Sequence, residues 1–168
     1  IMQKQIIVVR GVSNSGKTHT IGHIAEQIVL IYMRKQISTR NIAKLRITID
    51  VIWGTVQSHE LMCVITIEYK GHKIVIGICT AGDFAEETAK RVSLLVSHNC
   101  DIIICGCKGI ADRHDKVYDA ILQAANGYAP SAKTTSHSTQ EPDSPVKTDI
   151  CDEVIENLCG IINAELGL

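Results

Sequence analysis

Residues 11–18 read Gly-Val-Ser-Asn-Ser-Gly-Lys-Thr, and they constrain the chain more than any other stretch because of what flanks them. The apolar run Ile6-Ile7-Val8-Val9 before them has the length and β-branched content of a buried strand, and from Lys17 to about Gln36 the pattern is helical. A glycine-bounded loop strung between strand and helix turns its amides inward. Gly11 lets the strand end in a turn, and the amides of Asn14, Ser15, Gly16, Lys17 and Thr18 then face a common centre. Gly16 leaves the approach to that centre clear. Such a nest of N–H groups, backed by the partial positive charge of a helix N-terminus, suits a phosphate. Lys17 adds a full positive charge, and the Thr18 hydroxyl is a hard oxygen donor suited to Mg²⁺. Ser13 and His19 complete the expected ligand contacts.

The pattern G-x-x-x-x-G-K-[ST] is met in full, and over residues 5–36 the chain resembles the P-loop NTPase superfamily. The resemblance implies a nucleoside triphosphate ligand with Mg²⁺. It also implies a carboxylate at the end of a neighbouring strand that holds the metal or its water. The strand Ile74–Cys79, followed by Thr80-Ala81-Gly82-Asp83, is similar to the D-T-A-G switch segment of Ras-like GTPases, which also follows a hairpin. It departs at one position: Cys79 stands where that family has Asp, and a thiol is a poor ligand for a hard cation. Asp83 is the expected substitute, with Thr80 adding a hydroxyl and the Gly82 amide facing a γ-phosphate. Asp83 also suits the N-cap of a helix over 84–98, with Glu86 and Glu87 complementing its dipole. Asp50, on another strand, is the weaker alternative. The expected catalytic pair is Lys17 and Asp83, and the expected metal ligands are Thr18 and Asp83.

The 168 residues are enough for one domain that buries its core without staples. A net charge of −1 provides no global field for nucleic acid or an anionic membrane. The seven cysteines are odd in number, and several lie inside apolar runs such as Ile103-Ile104-Cys105. They read as small buried hydrophobes in a reducing, cytoplasmic compartment rather than as a disulfide framework. Cys105-Gly-Cys107 has no second pair at zinc spacing. No signal-peptide pattern is visible, and no apolar run reaches 18 residues.

Alternation of strands and helices predicts an α/β fold: a three-layer arrangement with a mostly parallel sheet and one antiparallel edge strand from a hairpin. The strands are expected near 5–10, 46–54, 63–70, 73–79 and 101–105. Run 63–70 alternates and reads as the half-exposed edge, whereas 74–79 is apolar throughout and reads as central. Helices are expected over 83–98, with Phe84, Thr88, Val92 and Leu95 on one face, over 112–125, and over 150–166. Residues 129–149 hold all three prolines and much Ser and Thr. They read as a flexible loop with a short strand near 132–137.

Two stretches raise the question of substrate. Residues 34–46 carry Arg34, Lys35, Arg40, Lys44 and Arg46 with no acidic residue. They read as a solvated helix end or as a basic cap over phosphates. Lys108, Arg113 and His114 fall where a mobile lid would close. The guanine-reading pattern [NT]-K-x-D is absent: Val146-Lys-Thr-Asp149 has Val first. ATP is therefore expected ahead of GTP. Three functions fit: an ATPase or switch using Glu86, Glu87 or His59 to position water, a kinase for a small-molecule acceptor, and a binding module without catalysis.

Overall fold

The computed structural model describes residues 3–11, 16–38, 44–55, 60–109, 116–126, 133–139 and 148–168. The first strand, β1 (Gln5–Gly11), is buried from Ile6 onward, as its apolar run requires. Its side chains divide between two cores: Ile7 and Val9 enter one, Ile6 and Val8 the other. Both faces are thus covered, which is why the run is continuous rather than alternating.

The helix α1 (Lys17–Ser38) buries Ile21, Ile24 and Ile28 on the Ile7/Val9 face, and α4 (Thr148–Leu166) joins it there through Val154, Leu158 and Ile162. The opposite face is covered by α2 (Ala85–Ser97) through Val92 and Leu95, and by α3 (Lys116–Asn126) through Val117 and Ile121. The expected layering of helices on both faces of a sheet is present. Phe84, expected on one helix face with Thr88, Val92 and Leu95, does not share their burial: it is the N-cap residue and 69% exposed, whereas the other three are buried.

The remaining strands are β2 (Arg46–Thr55), β3 (Glu60–Tyr69), β4 (His72–Cys79), β5 (Ile102–Lys108) and β6 (Lys133–Thr139). The sheet order is β2-β3-β4-β5-β1-β6. Pairings β4–β5, β5–β1 and β1–β6 are parallel, whereas β2–β3 and β3–β4 are antiparallel. The sheet is therefore mixed, and its antiparallel part is larger than the one edge strand expected. The position of that strand also differs. β3 is interior, paired with β2 on one side and β4 on the other, and its Leu61-Met62-Cys63-Val64-Ile65 run is buried. The edge falls to β2, whose Arg46, Thr48 and Asp50 are exposed. A second difference concerns neighbours: β5 lies between β1 and β4, so the strand before Thr80 does not adjoin β1.

β6 occupies residues 133–139 of the stretch read as a flexible loop at 129–149. Its backbone pairs with β1 from Gln5↔Lys133 to Gly11↔Thr139, so the short strand expected near 132–137 is a full sheet member. The flanking residues 127–132 and 140–147 lie outside the described residues. Among the described residues, no helix is long and apolar enough to cross a membrane.

Candidate functional site

The parallel strands β1, β4 and β5 end on one side of the sheet, and three chain segments converge there. The first is the start of α1. Gly16 has φ of 88°, a value that disfavours any side chain, and its carbonyl accepts the helix bond from Thr20 N at 2.9 Å. The first turn of α1 contains no acidic residue, so its positive end is not neutralised from within the helix. Ser13, Asn14 and Ser15 lie outside the described residues.

Lys17 is only 6% exposed and turns its Nζ back across the strand end. The ammonium donates to Gly11 O at 2.9 Å and stands 3.3 Å from Asp83 Oδ1. A buried ammonium needs such partners to offset its lost hydration. Gly11 O also accepts from Gly109 N at 3.0 Å, which ties the end of β5 to the same point. Thr18 is half-buried beside it. His19 is exposed and is not among the residues lining the neighbouring cavity.

The second segment, Thr80–Asp83, crosses the end of β5 to reach Lys17. Gly82 makes the crossing possible: a Cβ there would collide with the Gly106 backbone. Lys108 N donates to Gly82 O at 2.7 Å, locking the crossing. Asp83 is thereby delivered over the intervening strand, so adjacency of β1 and β4 is not needed for Lys17 and Asp83 to meet.

The helix-cap reading of Asp83 is not what the fold uses. The N-cap of α2 is Phe84, with extended backbone and no side-chain cap bond; Asp83 precedes it, and its carboxylate faces Lys17. Thr80 also differs from expectation. Its hydroxyl accepts from Leu61 N at 3.0 Å and lies 3.3 Å from Leu61 O, and its amide donates to Leu61 O at 3.1 Å. It staples β4 to the start of β3. Cys79 is buried, its Sγ 3.5 Å from Ala81 O. Burial pushes its thiol pKa up, although the nearby Arg91 pulls the other way, so it remains a neutral thiol with no carboxylate character.

The third segment is the start of α2, which with the ends of β2 and β3 encloses a cavity of about 180 Å³ against this constellation. Thr18 and Asp83 line one side, and Trp53, Glu60, Phe84, Glu87 and Arg91 line the rest. Arg91 stacks over the Trp53 ring at 4.7 Å and sits 4.0 Å from Glu87. A register shift between Val51 and Trp53 turns this indole toward α2.

Other nominated residues stand elsewhere. Asp50 pairs with Val64 in mid-strand and does not line the cavity. Lys35 follows Lys17 by 18 positions, about 27 Å along a helix rising 1.5 Å per residue. Lys44 and Arg46 lie beside Lys70 and His72 at the opposite end of the sheet. None of these three can cap phosphates at Lys17. Lys108 is different: it is the register partner of Gly11 and is exposed at the same strand end. His59, Arg113 and His114 lie outside the described residues. Among the described residues, no cluster of three His, Cys, Asp or Glu side chains could hold a metal ion by itself.

Two features escaped the sequence reading. Arg10 is only 2% exposed at the end of β1, its guanidinium 4.2 Å from the centroid of Tyr118. Its signal was a charge closing an apolar strand. The Trp53–Arg91 stack left no local signal, because it arises from the bulge in β2. Comparison of the chain with protein-family models, curated proteins and solved structures finds no match.

Proposed function

We propose that this chain binds a nucleoside triphosphate, ATP in the first instance, as its Mg²⁺ complex at the start of α1, and that it hydrolyses or transfers the terminal phosphoryl group. The observation that carries this reading is the meeting of Lys17 and Asp83 at 3.3 Å beside a helix N-terminus. The motif, the strand-loop-helix setting and the two-sided helical cover all agree with a P-loop type of α/β fold. The interposed β5 and the antiparallel β2–β3 and β3–β4 pairings depart from the mostly parallel sheet order of that type.

The donor set fits Mg²⁺. Thr18 and Asp83 both line the cavity, both offer hard oxygen, and Mg²⁺ bound with phosphate takes few protein ligands. The absence of a three-ligand protein cluster among the described residues is compatible with that mode. When bound, the ion would neutralise charge on the phosphates. The chain's own part is to place Lys17 against phosphate oxygens, to hold Asp83 near it through the Gly82 crossing, and to present the α1 amides.

Transfer to a small-molecule acceptor is the favoured chemistry over simple hydrolysis, because the cavity beside Thr18 and Asp83 has aromatic walls at Trp53 and Phe84. Glu60 and Glu87 line the same cavity, and a carboxylate in that place is suited to take a proton from an attacking hydroxyl.

Lys17→Ala tests the reading. Calorimetric titration with Mg·ATP should show affinity reduced at least about 10-fold, since a hydrogen bond to a charged group is worth roughly 1.5–3 kcal/mol. The fold should survive, because Gly11 O keeps its bond from Gly109 N. Unchanged affinity in a folded variant would sink the assignment.

A further inference from the structure

Among the described residues, nothing pairs with the outer edge of β2. Exposed edges are templates for another strand and are ordinarily blunted by Lys, Pro or a bulge. Residues 46–51, Arg-Ile-Thr-Ile-Asp-Val, contain neither Lys nor Pro. The bulge comes only afterwards, between Val51 and Trp53. Residues 46–51 therefore carry no bulge of their own, and among the described residues no strand pairs with their outer edge.

The side chains on this segment are self-complementary. Arg46, Thr48 and Asp50 share one face, opposite Glu68, Thr66 and Val64 of β3. Ile47 and Ile49 share the other, opposite Ile67 and Ile65. An antiparallel pairing of two copies about a two-fold axis at Thr48 sets Arg46 against Asp50 of the second copy, and the reverse. It sets Thr48 against Thr48 and Ile47 against Ile49. Opposite charges and β-branched residues directly across are favourable cross-strand pairs. Arg46 already reaches Glu68 Oε2 at 2.6 Å, and its guanidinium has further donors for a second carboxylate.

The apolar face gives the pairing something to bury. Ile49 is 43% and Val51 46% exposed, and Ile49 borders an apolar groove of about 110 Å³ against Val29 and Leu30 of α1. Met33 and Ile37 continue that helix stripe at four-residue spacing, both exposed.

We infer that β2 is a homodimer interface, in which two copies of this chain join edge to edge through residues 46–50 with the dyad at Thr48, making one continuous twelve-stranded sheet from two six-stranded ones. The interface is isologous, so each charge pair occurs twice. It lies at the sheet edge, remote from Lys17, and stands independently of the nucleotide reading.

The test uses the full chain and its charge symmetry. Light scattering after size exclusion should give twice the 18.4 kDa chain mass. Arg46→Asp sets acid against acid twice, and Asp50→Arg sets base against base twice. Each variant alone should run as a monomer with a wild-type circular-dichroism spectrum. Mixed in equal amounts, the two should form a heterodimer, since one variant is acidic at both positions and the other basic at both. A monomeric wild-type chain overturns the inference. So does a dimer indifferent to both substitutions, or a mixture that stays monomeric.

Discussion

The Lys17 ammonium and the Asp83 carboxylate meet at 3.3 Å although the strands that lead to them are not neighbours. The intervening β5 is crossed by Gly82, whose backbone passes directly over Gly106. The two charges are therefore fixed by backbone geometry on both sides rather than by long flexible side chains alone. The crossing also orders their roles. Lys17 is buried and held by Gly11 O, whereas Asp83 is 54% exposed and open to the cavity. The cation is built in, and the carboxylate is the half of the pair able to exchange partners.

Asp83→Asn should separate charge from fold. An ion pair with one partner this exposed contributes about 1 kcal/mol or less, and α2 draws no cap bond from Asp83. The thermal midpoint should therefore shift little. Mg²⁺-dependent nucleotide affinity or turnover should fall, while Cys79→Ala leaves the Mg²⁺ dependence intact. Titration of Mg²⁺ at fixed ATP reads the difference. Full Mg²⁺ dependence in the Asp83 variant would remove it from the metal site.

The candidate site was legible at Gly11 and at Gly16–Thr18 because that part is local. Gly11 to Thr18 is one contiguous segment, and the run Ile6–Val9 before it needs only its apolar character to be read as a buried strand. Core positions such as Ile21, Ile24 and Ile28 followed from helical spacing. What the sequence could not supply was strand order. Nothing in Ile102–Cys105 says that it inserts between β1 and β4, and nothing in Arg46–Trp53 says that it is the edge. The alternation of Thr66 and Glu68 with Ile65 and Ile67 suggested an edge at β3, yet Thr66 faces Thr48 and Glu68 pairs with Arg46 across the next strand. Polar residues there are partly exposed on the sheet face and do not mark the strand as an edge. The structural role of Thr80 was hidden for a related reason: its partner, Leu61, is 19 residues away.

Thr80→Val should cost about 1–3 kcal/mol, because it leaves the buried Leu61 N–H without its acceptor. The urea midpoint should fall with an unchanged slope. Thr80→Ser, which keeps the hydroxyl, should lose much less. Equal loss in both variants would mean that packing, not the Leu61 staple, is what matters.

Stability should decline in alkali. Burial pushes Cys63 and Cys100 up to about 12 and Cys151 up to about 11, against an ordinary 9.0. Folded thiols therefore keep their protons at pH values where unfolded ones release them. Their contribution is constant below about pH 9 and is lost between about 9 and 12, each thiol costing up to about 1.4 kcal/mol per pH unit. Urea unfolding at about pH 8 and about pH 10.5 checks this. Cys63→Ala should flatten the decline, and an equally steep fall in that variant would assign it to other groups.

Trp53 should report on the cavity directly. It is the chain's one tryptophan, it lines the cavity that Thr18 and Asp83 share, and it is stacked on Arg91 at 4.7 Å. A charged guanidinium over the indole face couples emission to whatever alters that contact. Mg·ATP at the start of α1 brings phosphate charge to the same cavity and should draw on Arg91, so emission should change saturably with the calorimetric affinity. Arg91→Ala should shift the starting emission and abolish most of the nucleotide response while leaving Lys17-dependent binding measurable. A phosphate acceptor entering between Trp53 and Phe84 should produce a further change that requires no nucleotide. If Mg·ATP binds by calorimetry and Trp53 emission stays constant, the bound phosphates do not face this cavity, and Glu60 and Glu87 lose their place in the proposed transfer.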